Sequence, residues 1–325
     1  MGYLIQSVNF LILIDKYPRK ESNNSRVGNY NLFKFECQPK EMSLSLTKAA
    51  EFLERTARPL ELRAYETIFK GASFDGFADA LEKFRCSDGG FGNALEPDVR
   101  TPYSQPLFVD FALKSLYQVG ARVSEFGVGV CDYLRLVSES NGALPYLLPN
   151  ALEYPRAKQW QTLHPPSLDL TFGLTAILHW LGVENPWLDR TTESCWLALD
   201  APPDDAHSLI GVMQFLEHAP QRSERESILA QILELLPRAR WLSLELPVNG
   251  YALTPLHLAP NPNALAYSCF GDAMIEAHLD ELVTQQQEDG GWPLSWEPPG
   301  EMARSEWRGK WTLDALVVLN AYGRL

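Results

Sequence analysis

The chain has 325 residues, of which 46% are hydrophobic and 21% charged, a composition typical of globular proteins with a large core. Its formal net charge of −13 argues against nucleic acids and anionic membranes as partners, because both bind clustered Lys and Arg side chains. No apolar stretch reaches the ~20 residues that a membrane-spanning helix needs, so we expect no integral membrane segment.

The five cysteines stand far apart, and no two of them form a Cys-x-x-Cys pair (positions 37, 86, 131, 195 and 269). An odd number at wide spacing favours free thiols in a reducing compartment over a disulfide framework or a zinc site. The sequence also lacks the glycine motifs that bind nucleotides. We therefore predict a cytoplasmic protein with no metal and no cofactor.

Residues 1–41 differ from the rest of the chain. An apolar patch at 10–14 leads into the polar, proline-bearing run 16–25, which has no helical or strand period. No basic segment precedes the patch and no small-residue cleavage site follows it, so we expect no secretory signal. We predict a poorly ordered N-terminal arm over 1–41 and one folded domain over 42–325.

From residue 45 onward, two kinds of predicted helix alternate along the chain. One kind is amphipathic, which predicts an exposed outer face, whereas the other is apolar on nearly every side and must be covered on every side. The amphipathic segments are 74–86, 122–139, 185–199, 222–238 and 271–287, and the apolar segments are 106–119, 166–182, 204–218 and 309–322.

This alternation predicts an all-α fold in two concentric layers, an (α/α)6 toroid of about six helical hairpins with an outer and an inner ring. Segments 46–57 and 61–71 supply one further hairpin. The alternation also requires one more inner helix between residues 239 and 270, and we predict it near 263–269.

Short repeats lie at the connections between amphipathic and apolar helices. Asp88-Gly-Gly-Phe91 recurs as Asp289-Gly-Gly-Trp292, and Glu96-Pro97 recurs at the same offset as Glu297-Pro298. A further pair is Asn93-Ala-Leu-Glu96 and Asn150-Ala-Leu-Glu153, and together these matches indicate repeated helical hairpins. All outer-to-inner connections of a toroid lie at the same end, so we expect these acids and aromatic residues to converge on one mouth.

The segment Gln286-x-x-Asp289-Gly-Gly-Trp292 resembles the QW repeat of the terpenoid cyclase and protein prenyltransferase superfamily. The resemblance implies an α/α toroid around a central apolar cavity, which in such proteins often holds an isoprenoid chain. It also implies that the Gln binds a helix end and stacks on the Trp of the glycine-rich turn.

The catalytic motifs of that superfamily are not reproduced in this chain. Where cyclases that protonate an alkene carry Asp-x-Asp-Asp, this sequence has Ser167-Leu-Asp169-Leu, with a single acid. Where protein prenyltransferases carry an Asp-x-Cys pair at a zinc site, Tyr267 stands two residues before Cys269. The resemblance therefore extends to the fold and not to either chemistry.

The candidate site residues are ionisable and aromatic side chains on the mouth connections. Glu96 and Glu297 are catalytic candidates as a carboxyl pair for acid–base work on glycosidic bonds. Asp204 and His207 share a helix face and could form a second acid–base pair or ligate a metal. The structural alternative is that the acids cap helix N-termini and that each aromatic residue closes its own turn. The ligand-binding candidates are Asp98, Glu153, Asp205, Phe91, Trp292 and Trp296, with Trp160 and Tyr146 as further aromatic lining.

Three functions fit this pattern. The first is binding or transformation of a small hydrophobic, isoprenoid-type molecule in the central cavity. The second is a carbohydrate-active toroid with paired carboxylates at its mouth, and the third is a non-catalytic module that binds a peptide or a protein. An apolar cavity would favour the first, an open cleft with two carboxyl groups the second, and a filled centre the third.

Overall fold

The computed structural model describes residues 44–248 and 250–325, and the predicted arm over 1–41 lies outside these residues. Helices account for 58% of the described residues, which contain twelve α-helices and no β-strand. The all-α prediction is therefore confirmed. Non-helical backbone pairing takes the form of isolated bridges, such as the one between Val99 and Arg156.

The helices are short and follow the predicted order along the chain. They are α1 (Leu46–Thr56), α2 (Pro59–Lys70), α3 (Phe74–Glu82), α4 (Pro106–Gln118), α5 (Ser124–Val137), α6 (Asp169–Leu181), α7 (Pro186–Ala198), α8 (Ala206–His218), α9 (Arg225–Leu235), α10 (Pro255–Leu258), α11 (Asp272–Thr284) and α12 (Glu301–Ala321). Short 3-10 helices lie in the connections, at Pro149–Glu153, Lys158–Trp160, Leu236–Arg238 and Leu265–Cys269. The structure contains no described helix with the length and apolar character needed to cross a membrane.

Burial separates the helices into the two predicted kinds. In α6, every residue from Leu170 to Leu178 is buried, whereas α11 buries only the stripe of Ile275, His278 and Leu279. The buried helices α4, α6 and α8 pack on one another in sequence order, and α8 also packs on α10. The α6–α8 contact is close because glycines face each other there, and a Cβ added to Gly211 would lie 3.0 Å from the Gly173 nitrogen.

Two predicted inner segments have different bounds in the structure. α12 begins at Glu301, whereas the sequence predicted a start at residue 309. Its first turns are charged and bury only one side chain, Ala303, so they lack the apolar pattern on which the prediction relied. The short inner helix predicted near 263–269 is present as the 3-10 helix Leu265–Cys269, which packs on α8, and the one α-helix of this stretch is the single turn α10. Pro255 begins α10 behind the N-cap Thr254, and the prolines that follow at 260 and 262 prevent a longer helix.

A glycine in each of three connections packs closely against the next amphipathic helix. A Cβ added to Gly89 would lie 2.6 Å from the Gly129 carbonyl oxygen in α5, and one added to Gly142 would lie 2.5 Å from the Thr191 methyl group in α7. A Cβ added to Gly290, after α11, would lie 2.1 Å from the Lys48 carbonyl oxygen in α1. The connection after α11 therefore packs on α1 in the same way as the two earlier connections pack on α5 and α7.

Gln286 and Trp292 fix the last connection from two sides. The Gln286 side chain exchanges hydrogen bonds with the backbone of Ser45, the N-cap of α1, and also donates to the Gly290 carbonyl oxygen at 3.0 Å. The fully buried Trp292 indole donates to the Leu282 carbonyl oxygen at 2.8 Å. The Gln286 contacts join the C-terminal hairpin to α1, and the Trp292 contact holds the turn against α11.

Candidate functional site

The long connections before α4, α6, α8, α10 and α12 contact one another and form a continuous surface, which we call the mouth. The Ala157 N–H donates to the Asp98 carbonyl oxygen at 2.8 Å, which joins the connections before α4 and α6. The Ala206 N–H, at the start of α8, donates to the Arg240 carbonyl oxygen at 2.9 Å. The Tyr251 and Trp296 rings, from the connections before α10 and α12, lie 6.1 Å apart.

The Asp98 side chain accepts hydrogen bonds from two distant segments of the chain, although it is only 3% exposed. One carboxylate oxygen accepts from the Trp307 indole N–H at 2.9 Å, and the other accepts from the Gln159 amide at 2.7 Å. The Trp296 indole N–H also lies near Asp98 without hydrogen-bond geometry. Burial raises the pKa of Asp98, and the three N–H groups oppose that rise because they favour the ionised form.

Glu96 lies two residues before Asp98 and is also buried, with 6% exposure. Its Oε2 atom has no hydrogen-bond partner among the described residues. Burial, reinforced by the charge of Asp98, holds the pKa of Glu96 well above its ordinary value. Nearby Arg58 and Arg100 oppose the shift, but they pair with Glu61 and Glu306 respectively. Glu96 and Asp98 are therefore a buried carboxyl pair without an ion-paired cation of its own.

A group of aromatic rings, which we call the tryptophan wall, lies beside Asp98. It consists of Tyr251, Trp296, Trp307 and Trp311. The Trp296 ring meets Trp307 edge-on at 5.2 Å between centroids and Trp311 at 5.5 Å. The three tryptophans are half-buried and Tyr251 is exposed, so the wall presents ring surface to solvent.

A second aromatic group, the histidine wall, consists of Tyr146, Trp160 and His164. The Tyr146 and Trp160 rings lie 5.4 Å apart, and His164 meets Trp160 edge-on at 5.8 Å. Gln159, the residue before Trp160, is the amide that binds Asp98. Asp98 thus links the two walls, through Trp307 on one side and Gln159 on the other.

His207 and Tyr251 form a polar pair at the rim of the tryptophan wall. Their rings stack at 5.7 Å, and the Tyr251 hydroxyl lies 3.2 Å from His207 Nε2. Desolvation of its hydroxyl group and the nearby charge of Asp98 raise the pKa of Tyr251 to about 12, although the residue as a whole is exposed. Partial desolvation lowers the pKa of His207, although its side chain keeps an exposed edge.

Four predicted acids lie elsewhere or have structural partners. Glu297 is 78% exposed and pairs with Arg304, so it does not form a carboxyl pair with Glu96. Asp204 is exposed and pairs with Arg240 at 2.8 Å, which lowers the pKa of Asp204. Asp205 caps α8 by accepting from the Ser208 N–H at 3.1 Å, and Glu153 is exposed on a 3-10 helix.

Two predicted aromatic ligands, Phe91 and Trp292, are fully buried. The Phe91 ring lies 4.6 Å beneath the Arg85 guanidinium, and Trp292 closes its own glycine turn. Both side chains therefore contribute to the core in this structure, as the structural alternative expects.

Sequence reasoning missed Trp307, Trp311, Tyr251 and Gln159. Trp307 and Trp311 are four residues apart on α12, a spacing that puts both on one helix face. Predicting α12 to begin at residue 309 excluded Trp307 from the helix and hid this signal. Tyr251 and Gln159 lie in irregular connections, where the sequence has no period to reveal them.

The space between α4 and α12 is polar. Lys310 pairs with Asp314 at 2.5 Å, and the Gln118 amide donates to the same Asp314 carboxylate at 2.6 Å. A pocket between α4, α8 and α10, lined by Tyr117 and Gln214 among others, has a volume of about 30 Å3. That volume suits one or two water molecules and is far below the ~300 Å3 of a typical organic-ligand pocket.

The described residues offer no cluster of three or more His, Cys, Asp or Glu side chains that could hold a metal ion. The four described cysteines, at positions 86, 131, 195 and 269, are free thiols. Burial raises the pKa of Cys131 to about 12, and that of Cys195 to about the same value. Both thiols are therefore protonated and poor nucleophiles at neutral pH.

Comparison with known proteins gives a structural likeness and no family. No protein-family model and no curated protein matches the chain. A protein from Actinoplanes, known from its crystal structure, is similar with a TM-score of 0.53 at 16% sequence identity. The similarity covers 85% of this chain and 98% of the Actinoplanes chain. At this identity the likeness concerns the fold alone.

Proposed function

We propose that the helices close into an (α/α)6 toroid of the terpenoid cyclase and prenyltransferase kind. The main support is the repeated packing of a glycine-rich connection on the next amphipathic helix. The connection after α11 packs on α1 in the same way, which is what a closed ring requires. The hydrogen bonds between Gln286 and Ser45 and the packing of α12 on α1 support the same closure.

Within that toroid, the function that the mouth supports best is binding of a carbohydrate. The observation that carries this proposal is the position of Asp98, a buried carboxylate that links two aromatic walls. Aromatic rings next to hydrogen-bonding groups suit a sugar, because its C–H face packs on a ring while its hydroxyls bond at the edges. Exposed His207, Tyr251 and Gln159 are polar groups at those edges.

The hydrophobic-ligand alternative has less support. An isoprenoid chain needs a long apolar cavity, whereas Lys310, Asp314 and Gln118 lie between α4 and α12. The resemblance of the Gln286–Trp292 segment to a QW repeat supports the toroid fold and not a ligand. The Trp292 side chain is fully buried in its own turn, so it does not line a ligand cavity. We therefore favour a polar ligand at the mouth over an apolar one in the centre.

Saturation-transfer NMR on the full chain, with a panel of mono- and oligosaccharides and with farnesol, tests this proposal. We expect saturation transfer to at least one sugar, lost in Trp296→Ala. It should be retained in Trp180→Ala, since Trp180 contacts Tyr117 at the C-terminal end of α4, away from the mouth. Binding of farnesol alone, or sugar binding that Trp296→Ala leaves intact, would overturn the proposal.

A further inference from the structure

We propose that Trp241 is a further sugar-binding ring of the mouth, and that the ligand is an uncharged oligosaccharide rather than a single sugar. Trp241 lies in the connection before α10 and is 55% exposed. The ring is open to solvent, so a ligand can reach it without any change in the fold. This inference rests on the carbohydrate-binding function proposed above and names the class of carbohydrate.

Trp241 has a backbone conformation that a bulky residue rarely adopts. Its φ is 62°, in the left-handed region, where the Cβ lies too close to the following carbonyl oxygen. The other non-glycine residues with positive φ in the described part of the chain, Asn93 and Ala94, are small. Burial offsets little of the strain at Trp241, because more than half of the residue is exposed. An exposed side chain held in a strained conformation points to a role in binding rather than in folding.

Hydrogen bonds on both sides of Trp241 hold its backbone in place. The Arg240 N–H donates to the Asp204 carbonyl oxygen, just before α8, at 2.8 Å. The Trp241 carbonyl oxygen accepts from the Leu253 N–H at 2.8 Å, and the Ser243 N–H donates to the Leu253 carbonyl oxygen at 2.8 Å. The ring therefore projects from a fixed backbone, which reduces the ordering cost that binding must overcome.

Trp241 extends the aromatic surface of the mouth beyond the tryptophan wall. Its ring lies 6.3 Å from the Tyr251 ring, which lies 6.1 Å from the Trp296 ring. The planes of the Trp241 and Tyr251 rings are inclined by 64°, so one sugar ring cannot stack on both. Successive units of one chain can, because the glycosidic linkage lets neighbouring sugar rings tilt. A ligand that uses both Trp241 and the tryptophan wall is therefore an oligosaccharide.

The charges beside Trp241 favour an uncharged ligand. Arg240 and Asp204 pair with each other at 2.8 Å, so neither offers a free charge to an acidic or a basic sugar. Desolvation lowers the pKa of His207 below its ordinary 6.5, and the imidazole is therefore neutral at pH 7. The net charge of −13 also repels acidic sugars from the protein as a whole.

Isothermal titration calorimetry with cello-, malto-, xylo- and N-acetylchito-oligosaccharides of one to six units tests this inference. For a series that binds, we expect the affinity of the wild type to rise with chain length. Trp241→Gly should reduce the gain in affinity from the shortest ligand that binds to the hexamer by about 2- to 10-fold, as loss of an aromatic contact does. Trp241→Phe keeps a ring and should retain most of the gain, and Trp180→Ala, outside the mouth, should retain all of it.

An affinity that does not rise with chain length, or an equal rise in the wild type and Trp241→Gly, would overturn the inference and leave the binding proposal intact. Tighter binding of oligogalacturonate or of glucosamine oligomers would contradict the uncharged class. Absence of binding to every sugar would instead contradict the proposed function.

Thermal unfolding of Trp241→Gly separates binding from folding. Because glycine adopts positive φ without strain, we expect a midpoint close to or above that of the wild type. A midpoint several degrees lower would show that the Trp241 side chain stabilises the fold, and would overturn its assignment as a binding residue.

Discussion

Gln286 and Ser45 exchange two hydrogen bonds although 241 residues separate them. The Ser45 N–H donates to Gln286 Oε1 at 2.8 Å, and Gln286 Nε2 donates to the Ser45 carbonyl oxygen at 3.0 Å. The same amide nitrogen also donates to Gly290, so one side chain holds the N-cap of α1 and the turn after α11 together.

Gln286→Ala should therefore lower the free energy of unfolding by about 1–3 kcal/mol, because partly buried backbone groups lose their partners. Gln285→Ala is the matched control, since the Gln285 side chain bonds only the neighbouring Glu281 carboxylate at 3.2 Å. We expect the control to cost less than about 0.5 kcal/mol, as in a surface i, i+4 pair. Urea unfolding compares the two variants, and equal losses would show that the Gln286 side chain does not hold the N-cap of α1 to the turn after α11.

The close approach of Gly290 to α1 predicts a second difference in stability. Gly290 and Gly71 both have positive φ, 93° and 65°, but only Gly290 lies against another backbone. Gly71→Ala should cost about 1 kcal/mol for the left-handed conformation alone. Gly290→Ala should cost about 1–3 kcal/mol more, as overpacking usually does. Similar midpoints of thermal unfolding for both variants would contradict the tight packing of this turn on α1.

The hydrogen bond between Trp307 and Asp98 predicts different effects for two tryptophans on one helix face. Trp307→Phe removes a donor from a buried carboxylate and should destabilise the fold by about 1–3 kcal/mol. Trp311→Phe should cost less, because the Trp311 ring is positioned by contacts with Trp296 and His257 that a phenyl ring can partly keep. Urea unfolding at pH 7 measures both, and a larger loss in Trp311→Phe would argue against Asp98 as an organising residue of the mouth.

His257 predicts a loss of stability in mild acid. Burial lowers its pKa from 6.5 to about 4. Below pH 6.5 the unfolded chain binds a proton that the folded chain takes up only near pH 4, so the contribution of His257 is present above pH 6.5 and is lost as the pH falls. His257→Gln keeps an acceptor for the Thr254 N–H but cannot titrate.

The difference in unfolding free energy between the wild type and His257→Gln should therefore shift in favour of the variant between pH 7 and pH 4.5. Comparing the two proteins cancels the other titrating groups, including the other histidines. Parallel pH profiles would show that His257 keeps an ordinary pKa in the folded state.

The helices with a clear apolar or amphipathic pattern could be predicted from the sequence, whereas α10 and the start of α12 could not. α6 and α8 are apolar on nearly every side over Leu170–Leu178 and Leu209–Leu216, which predicts a position covered on every side. α10 is one turn long, which is too short to show a helical repeat of apolar residues. Its position within 239–270 could therefore not be predicted from the sequence. The first turns of α12 carry Arg304, Glu306 and Arg308, and their charge hid a helix that begins at Glu301.

The candidate site could be predicted only in part, because two copies of the same sequence motif can have different surroundings in the folded protein. Glu96 and Glu297 share a Glu-Pro motif, yet Glu96 is buried beside Asp98 whereas Glu297 pairs with Arg304 in solvent. Asp98 is buried beside Gln159, from the connection before α6, and Trp307, from α12. No local pattern in the sequence reports such long-range contacts.

The carbohydrate site at the mouth is tested most directly by NMR of the nine tryptophan indole N–H groups in nitrogen-15-labelled protein, titrated with the sugar panel. We expect the signals of Trp296, Trp307 and Trp311 to shift in a saturable way. The signals of Trp180 and Trp187, which lie outside the mouth, should stay in place. Unchanged mouth signals with every sugar, or shifts confined to Trp180, would contradict a carbohydrate site at the mouth.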